Sequence, residues 1–285
     1  MKLSRGFIFT SLSALSWALL IIATRFAFIT YHETAANLAF WITLLATVYW
    51  FLIFLRHKSK LRTAQPKHYL LLLFIGLVNT LGVTLVETLA LKSSPAINFS
   101  FLIRTVILFT IILAAIFIKE KLTLKKFILA ILILIGSYLL VTQGQSLKLS
   151  PGDLFTLIEA LMLGILNISQ KTAVAKFGAP LTASAAFVFG LIPFLVLLLS
   201  TSQIHWPQAP LIIPLLVIFN IAITQFKLIA LKTATASYVT MIFSFTPVFV
   251  SLIAMPLLKE TLTPIQVLGG VLILLAGIGV EKLKI

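Results

Sequence analysis

The chain has 285 residues, 60% of them hydrophobic and 10% charged, with a formal net charge of +15. That balance lies far outside an ordinary soluble domain and describes a polytopic membrane protein. With no cysteine, disulfides, thiol catalysis and Cys-ligated metals are excluded, and basic residues confined mostly to short connections between apolar runs exclude a separate nucleic-acid-binding domain.

Ten apolar runs, each about 20 residues long, are long enough for helices to cross a hydrocarbon core roughly 30 Å thick. They predict spans at 6–28, 34–55, 68–91, 95–118, 124–143, 152–175, 180–200, 209–231, 233–257 and 263–281. The expected fold class is therefore all-α, a polytopic membrane protein of ten transmembrane helices. The first run opens like a signal peptide, but its apolar stretch continues to Ile22 without a small-residue cleavage site, so it reads as a retained helix. Trp17 lies mid-way along it. Tyr49, Trp50 and Tyr69 flank the basic second connection and are expected to anchor at the membrane interface. Ser150-Pro151-Gly152-Asp153 fits a helix start, with Ser as the N-cap, Pro in the first turn and an acid near the free N–H groups.

Orientation follows from the basic residues. Of the 22 Lys and Arg, Arg25, Lys92, Lys148 and Lys259 fall on the face away from the termini and Arg104 on neither; the remaining seventeen share the termini's face. This bias predicts an inner (plasma) membrane protein with both termini cytoplasmic. The chain also repeats: residues 90–123 align without gaps to 230–263, pairing Ala90-Leu91-Lys92 with Ala230-Leu231-Lys232 and Lys119-Glu120 with Lys259-Glu260. Two halves follow, 1–145 and 146–285, each of five helices. Five is odd, so the second enters from the opposite face, an inverted repeat of the kind transporters use.

The stretch SFTPVFVSLIAMPLLKETLTPIQVLGGVLILLAGIGV (244–280) and the Lys119-Glu120-Lys121-Leu122-Thr123 end of the fourth helix resemble the ten-helix, EamA-type members of the drug/metabolite transporter superfamily. Pro247, Glu260-Thr261-Leu262-Thr263 and the glycines at 269, 270, 277 and 279 carry the likeness, which extends over nearly the whole chain. The resemblance implies a carrier for small metabolites, often amino acids and usually exported. It implies a central cavity lined by the first, third, fourth, sixth, eighth and ninth helices. Ile107 stands where the repeat would place a second proline, so only the ninth helix is expected to kink there. Phe40-Trp41 stands where the family commonly has an arginine.

Ionisable groups inside spans are costly and mark functional candidates. Arg104 lies about 15 Å into the fourth helix, with no acid within ten residues on either side. Glu159 of the sixth helix and Glu87 of the third share its half of the membrane, while Lys227 falls near the inner face as an interfacial side chain. One reading makes Arg104 a ligand for a substrate carboxylate, with Glu159 or Glu87 meeting an amino group or carrying a proton. The other is an Arg104–Glu159 ion pair that only locks two helices. Asn98 and Gln170 are the preferred amide candidates, with Asn79, Asn167, Asn220 and Gln225 assigned to packing between helices. Trp17 could wall the cavity and stack on a cationic group. Glu120 and Glu260 occupy symmetric ends, where they serve as helix-terminus or gate contacts or merely as solvated ends.

No Walker loop, dinucleotide fingerprint, zinc motif or histidine cluster occurs, so no cofactor, metal site or enzymatic centre is expected. The expected function is a secondary transporter of a small polar metabolite, most simply an amino acid or related zwitterion, working by alternating access and coupled to a proton, another ion or exchange. The alternative is an organic-cation, quaternary-amine or drug transporter, and a third class is a nucleotide-type carrier. A channel would need a pore-lining filter, which the sequence does not display. The expected partners are the solute and the lipid bilayer, without nucleic acid, as a monomer or a homodimer.

Overall fold

Several apolar runs begin at a residue whose side chain can take the unsatisfied N–H groups of a first helical turn. Ser4, Thr34, Thr123 and Thr235 accept from the backbone N–H of Phe7, Asn37, Lys126 and Tyr238 at 3.1, 3.2, 3.3 and 3.1 Å. The computed structural model describes residues 3–61, 65–94, 96–199, 204–258 and 262–283. Within them the first half forms α1 (Arg5–Tyr31), α2 (Ala35–His57), α3 (Pro66–Leu77), α4 (Val86–Ser93), α5 (Ala96–Leu102), α6 (Val106–Phe117) and α7 (Leu124–Thr142). The second half forms α8 (Gly152–Phe177), α9 (Ala179–Val188), α10 (Leu191–Leu199), α11 (Ile213–Thr233), α12 (Ala236–Phe243), α13 (Thr246–Leu258) and α14 (Pro264–Leu283).

Among the described residues there is no strand, and nine helical runs are long and apolar enough to cross a membrane. A further run joins α3 to α4 through a π-helical segment at Val78–Leu85. The start of α1 meets the end of α14. The Ser4 N–H donates to Glu281 Oε1 at 2.8 Å, the Ser4 hydroxyl to Glu281 Oε2 at 2.9 Å, and the Tyr238 hydroxyl to the same carboxylate. The start of α1 and the end of α14, here the termini's face, therefore lie on one face of the bundle.

Packing relies on small residues, as expected where lipid removes the hydrophobic driving force between helices. Helix α7 lies against α14, α2 against α9, α6 against α12, α1 against α11, and α4 against α8. At the α7–α14 crossing a Cβ on Gly269 would stand 2.5 Å from the Gly136 carbonyl oxygen, and one on Gly136 would stand 2.7 Å from that of Gly269. Only glycine at both positions permits that approach. Bulky apolar side chains such as Ile116, Phe117 and Val196 point outward.

Four expectations change. Trp50 is not an interface anchor: it is fully buried and stacks on Phe187 at 6.0 Å, because α2 turns that face toward α9, whereas Tyr49 and Tyr69 are exposed. Ser150 does not cap α8, which begins one residue after Pro151; its hydroxyl points to the Ser93 carbonyl, and Asp153 instead accepts from the Ser150 N–H at 2.8 Å. Helix α11 starts at Ile213 and not at 209, because the Glu33 carboxylate takes the Gln208 and Ala209 N–H groups and holds that segment in turns. The fourth predicted helix is also interrupted, despite having Ile107 in place of a proline. Residues Ile103–Thr105 form a 3-10 segment, in which the Thr105 hydroxyl takes the Leu102 carbonyl at 2.7 Å.

Candidate functional site

The candidate site lies at two interrupted helices. In the second half, α12 ends at Phe243 and α13 resumes at Thr246. Pro247 has no N–H to donate to the Phe243 carbonyl, and the Thr246 hydroxyl takes that oxygen at 2.8 Å. In the first half the break falls at 103–105, and displaced by the 140-residue repeat it coincides with 243–245. Breaks of this kind free backbone groups and widen the space between helices, and they recur at functional hinges.

Arg104 sits in the first break. Its guanidinium carbon lies 5.4 Å from the centre of the Trp17 ring, on which Phe243 also stacks, at 4.9 Å with 14° between planes. Thus an arginine and a phenyl at the two breaks both meet one indole of α1. The cation is partly compensated by the indole face. Its Nε is buried without a hydrogen-bond partner, and no carboxylate pairs with it among the described residues. The Arg104–Glu159 lock considered from sequence is therefore not formed here.

Helix α8 presents a polar stripe to the interior. Thr156, Glu159, Asn167 and Gln170 are spaced by three, eight and three residues, which keeps them on one face of a 3.6-residue helix, and all are buried. Asn167 donates to the hydroxyls of Thr110 and Thr240 at 3.3 and 3.2 Å, tying α8 to α6 and α12. Thr156 Oγ1, Glu159 Oε2, Asn167 Oδ1 and Gln170 Oε1 have no hydrogen-bond partner, though buried acceptors are normally satisfied. Glu87 opens α4 and lies close enough to Glu159 for their charges to interact.

Other candidates lie elsewhere. Asn98 belongs to the end of the bundle opposite the termini, donating to Asp153 Oδ2 at 2.7 Å and to the Lys148 carbonyl at 2.8 Å. Glu120 lies at the termini's face, where it caps α12: it accepts from the Ala236 N–H at 2.7 Å and the Ser237 hydroxyl at 2.6 Å, with the Lys126 ammonium at 3.8 Å. Lys171 closes the end of α11 by donating to the Leu231 and Ala234 carbonyls at 2.6 and 2.7 Å. A cavity of about 480 Å³ opens beside these caps, lined by Arg5, Lys171, Lys232 and Tyr238 among others. Glu260 lies outside the described residues. Pro247 is buried directly after the second break. Sequence reasoning missed Phe243, Thr156 and the stripe as a unit; its polar spacing along α8 was the available signal.

A helical bundle with an apolar exterior, enclosed charges and paired helix breaks defines a multi-pass membrane protein of transporter type. The chain belongs to the EamA-like transporter family, whose profile matches it twice, over residues 4–142 and 150–280. It is similar to an uncharacterized transporter of Methanothermobacter thermautotrophicus, 25% identical over 214 residues that span 72% of this chain and 62% of that relative. It is also similar to the uncharacterized transporter YyaM of Bacillus subtilis, 27% identical over 233 residues spanning 76% of this chain and 73% of the relative. A solved structure named simply "Crystal structure of protein" superposes with a TM-score of 0.77 at 16% identity, covering 99% of this chain and 98% of that one, a likeness of fold.

Proposed function

We propose that this chain is a secondary carrier for a small zwitterion, such as an amino acid, moved across the plasma membrane by alternating access of two inverted five-helix halves. The observation that carries the proposal is Arg104, half-buried at a helix break with a buried, unused Nε and no carboxylate partner among the described residues. A permanent charge held this way binds a planar anionic group with paired hydrogen bonds better than any other side chain. The unpartnered acceptors of α8, Glu159 foremost, supply the complementary end for an ammonium.

The packing supports two halves related by a two-fold axis. Spans five apart touch directly, as α2 with α9, α6 with α12 and α7 with α14, while α1 with α11 mirrors α4 with α8. The start of α1 and the end of α14 on one face suit an even number of crossings, which supports reading the run from α3 to α4 as a tenth. The bias of Lys and Arg supports a cytoplasmic location for that face.

The test is a ligand-induced thermal-shift screen of purified protein against amino acids, polyamines, quaternary amines and nucleotides. Amino acids are expected to stabilise the native protein and to lose that effect in Arg104→Ala, which still melts cooperatively. An undiminished amino-acid shift in that variant removes Arg104 from the site. An organic cation is the second reading, favoured by two acids, Glu87 and Glu159, with no basic partner among the described residues. Stabilisation by quaternary amines alone would select it.

A further inference from the structure

The chain has only seven acidic residues, and five are assigned or lie beyond view. Glu33 holds the Gln208 and Ala209 N–H groups, Glu120 caps α12, Asp153 holds Ser94, Asn98 and Ser150, and Glu281 receives Ser4 and Tyr238. Glu260 lies outside the described residues. The last two, Glu87 and Glu159, are the acids of the membrane interior, and neither makes a hydrogen bond or ion pair among the described residues.

Helix register brings them together. A Cβ on Gly82 would touch Met162 Sδ at 3.3 Å, and one on Gly152 would meet the Ser93 carbonyl carbon. The run through α4 and helix α8 are therefore antiparallel with Glu87 level with the turn that carries Glu159. That sets the half-buried Glu87 and the buried Glu159 at one level of neighbouring helices, within range of each other's charge. Two like charges there repel and are poorly solvated, so the arrangement needs a cation.

Among the described side chains, the neighbours do not provide one. Arg104, on the 3-10 segment packed against α8, is held over Trp17. Lys171 and Lys176 lie twelve and more residues along α8, at its far end, committed to carbonyls and to His68. Lys67, His68 and Tyr69 open α3 at that same far end. On α11, Lys227 makes no ion pair among the described residues and Lys232 lines the cavity at the termini's face; Tyr238 of α12 donates to Glu281. Asp153 is occupied at the start of α8, and the segments α5, α6, α9 and 78–85 carry no ionisable group. The Lys92 side chain, at the end of α4, lies outside the described side chains.

We propose that Glu87 and Glu159 form a proton-binding carboxyl pair that carries the coupling proton of transport. One proton from the aqueous phase forms an O–H bond on one carboxylate and is shared with the other, leaving the pair with a single negative charge. Release returns the proton to water and restores two carboxylates. The site rests on the reading of the chain as a secondary carrier and deepens it by naming the coupling ion.

Infrared difference spectroscopy of the full chain in lipid nanodiscs, titrated with acid and base, reads the proton itself and needs no solute. The wild type is expected to keep a carboxylic-acid carbonyl band at neutral pH, shifted by deuterium oxide. Glu159→Gln and Glu87→Gln are each expected to abolish it, and Arg104→Ala to retain it. Absence of the band in the wild type, or its persistence in both glutamine variants, overturns the proposal; two variants guard against one that does not fold. The outcomes separate from the carrier reading: a band without any ligand-induced thermal shift sinks the solute site, and a shift without a band sinks only the proton pair.

Discussion

Glu120→Ala should be among the more destabilising single changes at the termini's face. The carboxylate accepts from Ala236 N–H at 2.7 Å, Ser237 hydroxyl at 2.6 Å and Ser237 N–H at 3.4 Å, so it satisfies the first turn of α12 from the other half of the chain. Hydrogen bonds to a charged group contribute about 1.5–3 kcal/mol, but these three share one terminus and do not add. Removal also strips Lys126, only 3% exposed, of its nearby carboxylate at 3.8 Å. The Lys126 ammonium keeps the Lys121 carbonyl at 3.1 Å, which limits that loss. A net cost of about 3 kcal/mol follows for Glu120→Ala and about 1 kcal/mol for Glu120→Gln, which retains an acceptor. Equilibrium or thermal unfolding in detergent measures both. The chain has no cysteine, so a single Ala234→Cys in each background reports, by its rate of maleimide labelling, whether the α11–α12 junction opens. Equal stability of Glu120→Ala and wild type, or equal losses in the two variants, would refute the capping argument.

Three further outcomes follow from the same geometry. Gly269→Leu places its Cβ 2.5 Å from the Gly136 carbonyl oxygen and 2.6 Å from the Leu140 nitrogen, so it should lower stability by about 1–3 kcal/mol or more; an unchanged melting temperature would deny the α7–α14 contact. Asp153→Ala removes the acceptor of Asn98 and Ser150 and should cost about 1–3 kcal/mol in the same melting assay. Trp17→Ala removes both the Phe243 stack and the face beneath Arg104, a loss of about 1–3 kcal/mol that should appear chiefly as weaker solute binding; unaltered affinity would place the solute elsewhere.

The spans were legible because length and hydropathy alone decide them, and caps such as Thr123 and Thr235 mark their starts. Pro247 likewise announced the break before it, through a missing N–H. The matching break at 103–105 carried no such mark. It depends on Thr105 turning back on its own helix and on the helices around it, which a residue-by-residue reading does not contain. The same holds for the π segment at 78–85 and for Trp50, whose burial depends on which face of α2 meets α9. Arg104 and Trp17 were each legible as candidates, but their mutual contact joins α1 to a distant helix and could not be read from spacing. The α8 stripe is the opposite case: its three, eight, three spacing is written in the chain, and only a polar helical count was needed to see it.

The central claim is that Arg104 belongs to a solute site between the two halves, open to water during transport, and does not face lipid. Single-cysteine labelling tests it directly in this cysteine-free chain, comparing Arg104→Cys with Ile112→Cys, which lies further along the same span and is 49% exposed on the outside of the bundle. A charged, membrane-impermeant thiol reagent is predicted to modify the first and spare the second. Modification of position 112 with none at 104, from either side of the membrane, would contradict the account.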